Sequence, residues 1–364
     1  MNTYEKVTEQ LQSRPKCWLI TGAAGFIGSH LVEALLKLGQ KVIGLDNYAT
    51  GLAANLQEVR SKVTPRQWKL FSMFRGDIRN LQTCKKVARK TDYILHQAAL
   101  GSVPLSIKDP LQSNETNLSG FLNILLVAKQ YKIRRCVYAS SCAVYGSDPT
   151  LPKVEHYAGH CLSPYAVSKR CDELYADVFA RCYGVASVGL RYFNVFGSRQ
   201  DPKGAYAAVI PAWIAAMIKA EPIHINGDGK TTRDFCYITN VVQANLLAAT
   251  TDNPDAINQV YNVAARRQTT LNELFEMLRT RLLPMYPHLS RCVPIYRPFR
   301  EGDIRHSEGA IDKAARLLGY QPGYQLQDGL DEALPWYVGH VTSSRRPKVA
   351  RKKKKKKKTR KRKR

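Results

Sequence analysis

Residues 17–28 read Cys17-Trp-Leu-Ile-Thr21-Gly22-Ala-Ala-Gly25-Phe-Ile-Gly28, and the prediction of the fold starts from them. The first five are a short apolar run, typical of a parallel strand that is buried on both faces. The three glycines predict a tight turn that lets the backbone come close to a phosphate group, followed by an amphipathic helix. A strand, a glycine turn and a helix in this order favour an α/β fold that binds a dinucleotide.

A second apolar run, residues 41–45, ends at an acidic residue, Asp46, 18 positions after Gly28. A carboxylate in this place accepts hydrogen bonds from a ribose and disfavours a 2′-phosphate. The helix N-terminus after the turn favours the negative charge of a diphosphate. We therefore expect a Rossmann-type doubly wound parallel sheet that binds NAD.

Two further apolar runs, residues 93–99 and 135–141, predict more strands of the same sheet, with a long helix at residues 114–131 between them. Ligands of such sheets collect at the carboxyl ends of the strands, so Ser140 and Ser141 are candidate site residues. His96 could be a base, but a single histidine inside a buried strand is more often a core residue, and we assign it no catalytic role.

The segment Ser163-Pro-Tyr165-Ala-Val-Ser-Lys169 predicts the start of another helix, because proline suits the first helical turn. Tyr165 and Lys169 then lie one turn apart on the same face. An ammonium close to a phenol favours the phenolate, which can act as a base. Alone, such a pair is usually a solvated surface feature. With Ser141 at a strand end 24 residues earlier, the three residues form a candidate catalytic set.

The composition indicates a globular protein. The 364 residues are 44% hydrophobic, enough for a large core in one or two domains. Nine cysteines, with no Cys-x-x-Cys pair, predict free thiols and no metal site. The first 14 residues do not resemble a signal peptide, and the longest apolar stretch, residues 205–218, contains Pro211 and is too short to span a bilayer. We expect a soluble, cytoplasmic protein without membrane insertion.

The net charge of +27 is concentrated at the C-terminus. Residues 345–364 contain 16 Lys and Arg and no Asp or Glu, which leaves +11 for the remainder of the chain. Such a like-charge block is expected to be disordered. It could bind nucleic acid or an anionic lipid surface. We favour the interpretation that it is a solvated extension with no part in the chemistry.

The spacing Gly-x-x-Gly-x-x-Gly, followed by Gly76-Asp77-Ile78-Arg79 and the Ser-Tyr-Lys set, resembles the short-chain dehydrogenase/reductase superfamily in its extended, nucleotide-sugar branch. The resemblance runs from about residue 15 to residue 337. It is closest to the bacterial UDP-N-acetylglucosamine 4-epimerases of surface-polysaccharide pathways, through residues 98–104, residues 204–211 and the small Ser307. This implies a homodimer, formed through the helices at residues 114–131 and 165–183.

The domain organisation expected from this resemblance has four parts. Residues 1–14 are a polar extension, residues 15–193 mainly a Rossmann domain with the catalytic set, residues 194–340 mainly a smaller α/β region that binds a UDP-sugar, and residues 341–364 the basic tail. The substrate segments, residues 191–197, 204–211, 226–235 and 300–307, are expected on loops. Arg297, Arg300 and Arg305 place several positive charges near one of them.

The resemblance also implies which residues touch the ligands. For a tightly bound NAD that is recycled in each turnover they are Gly22, Gly25, Phe26, Ile27, Gly28, Asp46, Asn47, Gly51, Asp77, Ile78, Gln97, Ala98, Ala99, Asn117, Tyr165, Lys169 and Tyr192. For the UDP-sugar they are Gly101, Ser102, Ser141, Cys142, Asn194, Ala208, Val209, Arg233, Arg300, Asp303 and Ser307.

Two features bear on the substrate. Epimerases restricted to non-acetylated sugars carry a bulky tyrosine at the position of Ser307, so a serine there implies room for an acetamido group. Relatives carry further serines where this chain has Cys142 and Ala143, so any bonds from those hydroxyls are lost here. Related dehydratases place an Asp-Glu pair at these two positions, and its absence argues against dehydration.

The implied reaction is C4 inversion of UDP-N-acetylglucosamine to UDP-N-acetylgalactosamine through a 4-keto sugar. Tyr165 removes the proton of the C4 hydroxyl, Lys169 supports it and Ser141 holds the same oxygen. The alternatives are a 4-epimerase of UDP-N-acetylglucosaminuronic acid and, in a different class, a binding protein for nucleic acid or anionic surfaces that acts through the tail. A decarboxylase or a reductase that releases NAD is less favoured.

Overall fold

The apolar run and the glycine turn form the strand, turn and helix that the sequence predicts. The computed structural model describes residues 2–202, 208–299 and 305–343. The strands in these ranges are β1 (Cys17–Thr21), β2 (Lys41–Asp46), β3 (Phe71–Arg75), β4 (Tyr93–His96), β5 (Arg135–Ser141), β6 (Ser187–Tyr192), β7 (Val195–Phe196), β8 (His224–Asn226), β9 (Thr232–Asp234), β10 (Cys236–Tyr237), β11 (Gln259–Val263), β12 (Gln268–Thr270) and β13 (Ile295–Arg297).

Seven of the described strands form one parallel sheet in the order β11-β6-β5-β4-β1-β2-β3. The chain runs outward from β1 through β2 to β3, and then returns to β4 on the other side of β1. The strand order therefore reverses between β1 and β4, which is where open α/β sheets form their ligand-binding crevice. The expected Rossmann-type doubly wound fold is confirmed.

Helices cover both faces of this sheet. Those in the described ranges are α1 (Thr3–Ser13), α2 (Phe26–Lys37), α3 (Ala53–Lys62), α4 (Pro65–Trp68), α5 (Leu81–Ala88), α6 (Val103–Lys108), α7 (Pro110–Asn114), α8 (Gly120–Gln130), α9 (Pro164–Tyr183), α10 (Val209–Lys219), α11 (Ile238–Thr250), α12 (Leu271–Leu282), α13 (Asp312–Leu318) and α14 (Leu326–Ser343). One apolar cluster joins the sheet to α2 and α11, and a second joins it to α5, α8 and α9. The site thus rests on a core packed from both sides.

The N-terminal extension is helical and packed. Asn2 and Glu5 form a capping box at the start of α1, and Val7 and Leu11 are buried against the main core. The side chain of Gln40 donates a 2.7 Å hydrogen bond to the carbonyl of Leu11. The sequence analysis treats this segment only as a polar extension. Its two buried apolar residues, spaced one helical turn apart, pack it against the core.

The helix expected at residues 114–131 begins earlier and contains a wider turn. It runs from α7 through a π-helical segment, Glu115–Ser119, into α8. Of its apolar residues, Phe121 and Leu125 are buried but Leu126 is exposed. The extra residue in the π turn shifts the faces of the helix, which a fixed helical period does not anticipate.

The region after β6 is less regular, and the expectation that its substrate segments lie on loops is partly wrong. Arg191 and Tyr192 belong to β6, and β9 covers residues 232–234. Short two-stranded sheets, β7 with β10, β8 with β13 and β9 with β12, hold this region beside the main sheet. Among the described helices, none is both long and apolar enough to cross a bilayer.

Candidate functional site

The glycine turn leaves no room for side chains at its tightest points. Gly22 has φ = +70°, in the left-handed region that favours glycine. A Cβ at Gly28 would lie 2.0 Å from the carbonyl oxygen of Gly22, so α2 starts directly against the turn. Gly25 is the N-cap of α2 and has no side chain to occupy the first N–H groups of the helix. This arrangement suits a diphosphate.

The acid at the end of β2 points into the same region. Asp46 accepts hydrogen bonds from the backbone N–H groups of Ala24, at 2.9 Å, and Tyr48, at 2.7 Å. Burial raises the pKa of its carboxyl, while these two donors favour the charged form. A Cβ at Gly51 would lie 2.8 Å from the Asp46 carboxylate. The carboxylate therefore occupies a fixed position at the sheet edge, where it disfavours a 2′-phosphate and suits NAD.

A cleft of about 110 Å³ lies along this edge. The predicted cofactor residues that line it are Gly22, Gly25, Asp46, Asn47, Ile78, Gln97, Ala98 and Ala99. Phe26, Ile27 and Gly28 follow directly as the first turn of α2. The residues present thus fit NAD: a cradle without side chains, a helix N-terminus and an acid lie around one cleft.

Two other predicted cofactor residues, Asp77 and Asn117, support the walls of the cleft. Asp77 accepts a 2.9 Å hydrogen bond from the Asn47 amide, and its pair with Arg79 lowers the pKa of its carboxyl to about 2. Asn117, in the π-helical segment, accepts from the Leu100 N–H at 2.8 Å and donates to the Leu100 carbonyl at 3.2 Å. Asp77 and Asn117 thereby hold the backbone and side chains around the cleft.

Tyr192 and Gln97 meet in a hydrogen-bonded triangle with Asn245, a residue that the sequence analysis did not identify. The Tyr192 hydroxyl donates to Gln97 Oε1 at 3.1 Å, and Gln97 Nε2 donates to Asn245 Oδ1 at 3.1 Å. Asn245 Nδ2 donates to the Tyr192 hydroxyl at 2.9 Å. Asn245 lies on α11, far along the chain and outside every motif, so no local signal could have found it.

Tyr165 and Lys169 occupy the first turns of α9, as the sequence predicts. Ser163 caps the helix by accepting from the Ala166 N–H at 3.2 Å. The Tyr165 N–H donates to Ser106 Oγ at 3.1 Å, which ties the start of α9 to α6. Tyr165 is half-buried, and Lys169 is only 2% exposed. The pair is therefore not a solvated surface feature.

Lys169 has an acidic partner that the sequence analysis missed. Its Nζ donates to Asp172 Oδ2 at 3.2 Å, one turn further along α9, and Asp172 is 1% exposed. Burial raises the pKa of the Asp172 carboxyl to about 7, although the Lys169 ammonium acts in the opposite direction. The i, i+3 spacing could have suggested this pair, but spacing alone does not reveal that both charges are buried.

The two serines at the end of β5 have different partners. Ser140 is buried and donates a 2.7 Å hydrogen bond to Glu173, which binds Arg191 in turn. Ser141 lies opposite Tyr192 in the sheet register, and its Oγ accepts from the Ala143 N–H at 3.1 Å. Ser140 therefore belongs to a structural network, and Ser141 remains as the candidate for chemistry.

His96 is a core residue, in agreement with the interpretation of its strand. Its ring is 1% exposed and Nδ1 lies 2.7 Å from Thr21 Oγ1. Burial, with a contribution from the Lys169 charge, lowers the pKa of the imidazole to about 3. The ring is neutral at any physiological pH and stacks on Phe121.

A larger cavity of about 400 Å³ lies between β7, α10 and the short strands. The predicted substrate residues Asn194, Ala208, Val209 and Arg233 line it. The Arg233 guanidinium donates to the carbonyls of Thr232, at 2.9 Å, and Arg305, at 3.3 Å. One wall is aromatic and apolar, with Phe196, Trp213 and Phe235. A cavity with this lining suits a nucleotide with a charged diphosphate.

The remaining predicted substrate residues are more scattered. Burial raises the pKa of the Cys142 thiol to about 11, while the Arg233 charge and a hydrogen bond from the Asn194 backbone act in the opposite direction. Cys142 therefore lies near two residues that line the larger cavity. Ser307 is buried. Gly101 is exposed, and Ser102 caps α6 by accepting from Leu105 N–H at 3.2 Å. Arg300 and Asp303 lie outside the described residues, as do residues 204–207 of the expected substrate segment.

Comparison with known proteins adds a family and several relatives. The family model "NAD dependent epimerase/dehydratase family" matches residues 18–264. A putative UDP-glucose 4-epimerase of Methanocaldococcus jannaschii is 36% identical over 320 residues, which is 87% of this chain and 97% of the relative.

Two solved structures of similar proteins extend this comparison. The structure of a UDP-N-acetylglucosamine 4-epimerase from Methanobrevibacter ruminantium, in complex with UDP-N-acetylmuramic acid, has a TM-score of 0.81 and 35% identity, covering 90% of this chain and 99% of that one. A UDP-glucuronic acid 4-epimerase from Bacillus cereus, in complex with UDP-glucuronic acid and NAD, has a TM-score of 0.78 and 29% identity, covering 89% and 99%.

Proposed function

The chain belongs to the NAD-dependent epimerase/dehydratase family, and on this premise we propose that it interconverts UDP-N-acetylglucosamine and UDP-N-acetylgalactosamine. The family uses NAD, and the related proteins described above are named for the 4-epimerisation of UDP-sugars. The family and these relatives support an NAD-dependent UDP-sugar 4-epimerase. The choice of an N-acetylated hexose as the substrate is what we propose in addition.

The observation that carries the proposal is the meeting of two ligand sites at one sheet edge. The glycine-lined cleft opens beside β1 and β4, and Ser141, Tyr165 and Lys169 lie at the carboxyl end of β5 and the start of α9. Cys142, the residue after Ser141, lies near Asn194 and Arg233, which line the larger cavity. A sugar on a nucleotide in the larger cavity would thus extend toward both the catalytic set and the cofactor cleft.

In the proposed mechanism Tyr165 takes the proton of the C4 hydroxyl and later returns it to the 4-keto sugar. The buried charge of Lys169, one turn away on α9, favours the phenolate that this transfer requires. Ser141 holds the same sugar oxygen by a hydrogen bond. NAD, when bound, supplies the reversible two-electron oxidation at C4. The residues lining the cleft and the N-terminus of α2 would hold it.

Inversion requires that the sugar present both faces to the same side chains. Arg233 and the wall of the larger cavity would hold the UDP part while the hexose turns about its phosphate linkage. Ser307 favours an N-acetylated substrate, because it is a small, buried residue at the position where epimerases restricted to non-acetylated hexoses carry a tyrosine. Cys142 and Ala143 offer no hydroxyl to the sugar, so Ser141 is the donor from this segment.

A panel of substrates tests the proposal. Purified protein is incubated without added NAD with UDP-N-acetylglucosamine, UDP-glucose and UDP-N-acetylglucosaminuronic acid, and C4 inversion is followed by NMR. We expect the N-acetylated hexose to be converted with the highest kcat/KM. Conversion of UDP-glucose alone would contradict the role given to Ser307.

The uronic acid is a second candidate, because two arginines have backbone contacts with residues that line the larger cavity. Arg297 in β13 pairs in register with Asn226, which lines the larger cavity. The carbonyl of Arg305 accepts a hydrogen bond from Arg233, so this arginine also adjoins the cavity. A carboxylate at C6 of the sugar could be neutralised there. Preferential conversion of the uronic acid in the same panel would establish this alternative.

The dimer implied by the family resemblance remains a proposal. Several large apolar side chains on α6 to α9 are exposed: Ile107, Leu111, Leu126, Val167, Leu174, Tyr175 and Val178. An apolar area of this kind is typical of a surface that another subunit covers. Sedimentation of the full chain is expected to give a dimer, and a Leu174→Glu variant is expected to sediment as a monomer.

The basic tail lies outside the described residues, and we propose that it has no part in epimerisation. A chain truncated after residue 344 should then retain the activity of the full chain. Loss of activity on truncation would contradict this proposal. Salt-sensitive retention of the full chain on DNA or anionic vesicles, lost with the tail, would instead support a binding function.

A further inference from the structure

The surroundings of Lys169 contain a buried acid that the proposed mechanism does not use. Lys169 is 2% exposed and Asp172 is 1% exposed, and Nζ donates to Asp172 Oδ2 at 3.2 Å. An ammonium taken out of water loses its proton readily unless an opposite charge compensates it. Asp172 stands in direct contact with Lys169 to provide that compensation.

Other acidic groups near Lys169 have different partners. Glu173, the next residue on α9, accepts from Ser140 at 2.7 Å, from Arg170 at 2.8 Å and from Arg191 on β6 at 2.8 Å. On the π-helical segment, Glu115 pairs with Arg79 at 3.4 Å. Among the described residues, Asp172 is therefore the acid whose charge is directed at Lys169.

The remaining titratable groups packed around α9 do not supply a charge. On β4, His96 is neutral, because burial lowers the pKa of its imidazole to about 3. On β5, burial raises the pKa of the Tyr138 hydroxyl, and on α9 itself burial raises the pKa of the Cys171 thiol, so both are neutral. On the segment after β5, burial likewise keeps the thiol of Cys142 and the hydroxyl of Tyr145 neutral.

The cations on neighbouring elements face elsewhere. Lys129 of α8 lies 3.8 Å from the centre of the Tyr183 ring, near the far end of α9. Arg191 binds Glu173 through two nitrogens. Lys108 of α6 is exposed, and Asp109 caps α7 by accepting from Gln112 N–H at 3.0 Å.

Asp172 contributes little to the fold by hydrogen bonding. Its second oxygen, Oδ1, is buried and has no hydrogen-bond partner among the described residues. Burial raises the pKa of this carboxyl to about 7. A buried carboxylate with one polar contact, to a proposed catalytic lysine, is a candidate for a functional charge.

We propose that Asp172 is a positioning residue, whose carboxylate holds the Lys169 ammonium in place and keeps it charged beside Tyr165. Asp172 acts through Lys169, because Tyr165 lies seven residues away, about 10 Å along the helix axis at 1.5 Å per residue. The inference rests on the proposed function, in which Lys169 favours the Tyr165 phenolate. It adds Asp172 to Tyr165 and Lys169 as a third residue of α9 that serves the proposed reaction.

The pH dependence follows from the charge of Asp172. Below pH 7 its carboxyl is mostly protonated, so an asparagine at this position imitates the natural state. Above pH 7 the carboxylate compensates Lys169, whereas asparagine leaves the ammonium uncompensated and more easily deprotonated. The Asp172→Asn enzyme should have a kcat within about twofold of the natural enzyme at pH 6 and at least about tenfold lower at pH 9, since one pH unit of displacement is a factor of ten.

The experiment measures kcat and KM for UDP-N-acetylglucosamine from pH 6 to pH 9 in the natural chain, Asp172→Asn and Asp172→Glu. Asp177→Asn is the matched control, since Asp177 lies on the same helix but its side chain is 54% exposed. We expect the loss above pH 7 in kcat and not in KM, its partial rescue by glutamate, and no change in the control. A constant ratio between Asp172→Asn and the natural enzyme across this range would overturn the proposal.

A second readout does not depend on the substrate. The ultraviolet absorbance of tyrosinate is titrated in the NAD-bound protein, and the contribution of Tyr165 is isolated by subtracting the curve of Tyr165→Phe. The Tyr165 contribution should appear at higher pH in Asp172→Asn than in the natural chain, and equal curves would refute the role of Asp172. If no UDP-hexose is converted at all, the proposed function fails while this titration still tests the inference.

Discussion

The cofactor cleft and the larger cavity are built in different ways. The cleft is formed by contiguous segments at the ends of neighbouring parallel strands, and its walls are mostly backbone: Gly22, Gly25 and Ala98 line it. The cavity is assembled from short pieces between residues 194 and 271, which pair as two-stranded sheets. One site is therefore fixed by backbone geometry and the other by side chains.

This difference separates the expected effects of mutations. A change in the cleft or at Tyr165 should impair every substrate equally, because each UDP-sugar meets the same cofactor and the same base. A change in the cavity should alter affinity or selectivity and leave NAD in place. Substitutions at Gly28, Tyr165, Arg233 and Ser307, in decreasing order of expected effect, test this division.

Gly28→Ala should remove NAD and with it all activity. The added Cβ would lie 2.0 Å from the Gly22 carbonyl oxygen, so the glycine turn and α2 must separate. The measurement is the amount of dinucleotide released when the purified variant is denatured. Gly323→Ala is the control, since a Cβ there meets nothing within 4 Å. Retention of NAD by Gly28→Ala would contradict this prediction and show that the turn accommodates a methyl group despite the short distance.

Tyr165→Phe should lower kcat about 10³-fold, within the usual range for a general acid–base, for every UDP-sugar that the natural enzyme converts. NAD should stay bound, because the hydroxyl is not part of the cleft lining. Tyr175→Phe, at a 39% exposed position of the same helix, is the control and should be active. Near-normal rates in Tyr165→Phe would remove this residue from the mechanism.

Arg233→Ala should raise the KM for the UDP-sugar by about 10- to 100-fold, the cost of losing charge-assisted hydrogen bonds. The NAD content should equal that of the natural chain, because Arg233 lines the other cavity. Arg266→Ala, at an exposed site in the same half of the chain, serves as the comparison. An unchanged KM in Arg233→Ala would move the diphosphate away from this cavity.

Ser307→Tyr should lower kcat/KM for the N-acetylated substrate by about tenfold relative to UDP-glucose, because a bulky ring at this buried position would fill the space proposed for the acetamido group. Ser307→Ala should keep the natural selectivity, since it adds no volume. Equal losses for both sugars in Ser307→Tyr would indicate general damage instead of a specific collision with the acetamido group.

The same division explains what could be predicted from sequence. β1, β5 and the start of α9 were placed correctly, because a glycine turn, an apolar run and a proline at a helix start act over a few residues. The glycine turn and Asp46 followed from local motifs, and the other predicted cleft residues followed from the resemblance to the nucleotide-sugar branch of the superfamily. Most of the substrate region, by contrast, depends on pairing between distant short strands, which periodicity does not encode.

The residues that were missed depend on contacts over long distances or on burial. Asn245 reaches Tyr192 and Gln97 only once α11 packs on the sheet. Asp172 belongs to no motif of its own, yet it is buried together with Ser168, Lys169 and Glu173, while Leu174 on the same helix is 51% exposed. An outward apolar face reverses the usual rule for a surface helix and conceals which charges are buried.

The most direct test follows the hydrogen at C4 of the sugar. UDP-N-acetylglucosamine labelled with deuterium at C4 is incubated in ordinary water with the purified protein and no added NAD, and the epimer is examined by NMR and mass spectrometry. If bound NAD takes the hydrogen and returns it to the other face, the deuterium stays at C4 of UDP-N-acetylgalactosamine. Replacement of the deuterium by solvent hydrogen, or no epimer at all, would contradict the proposed mechanism.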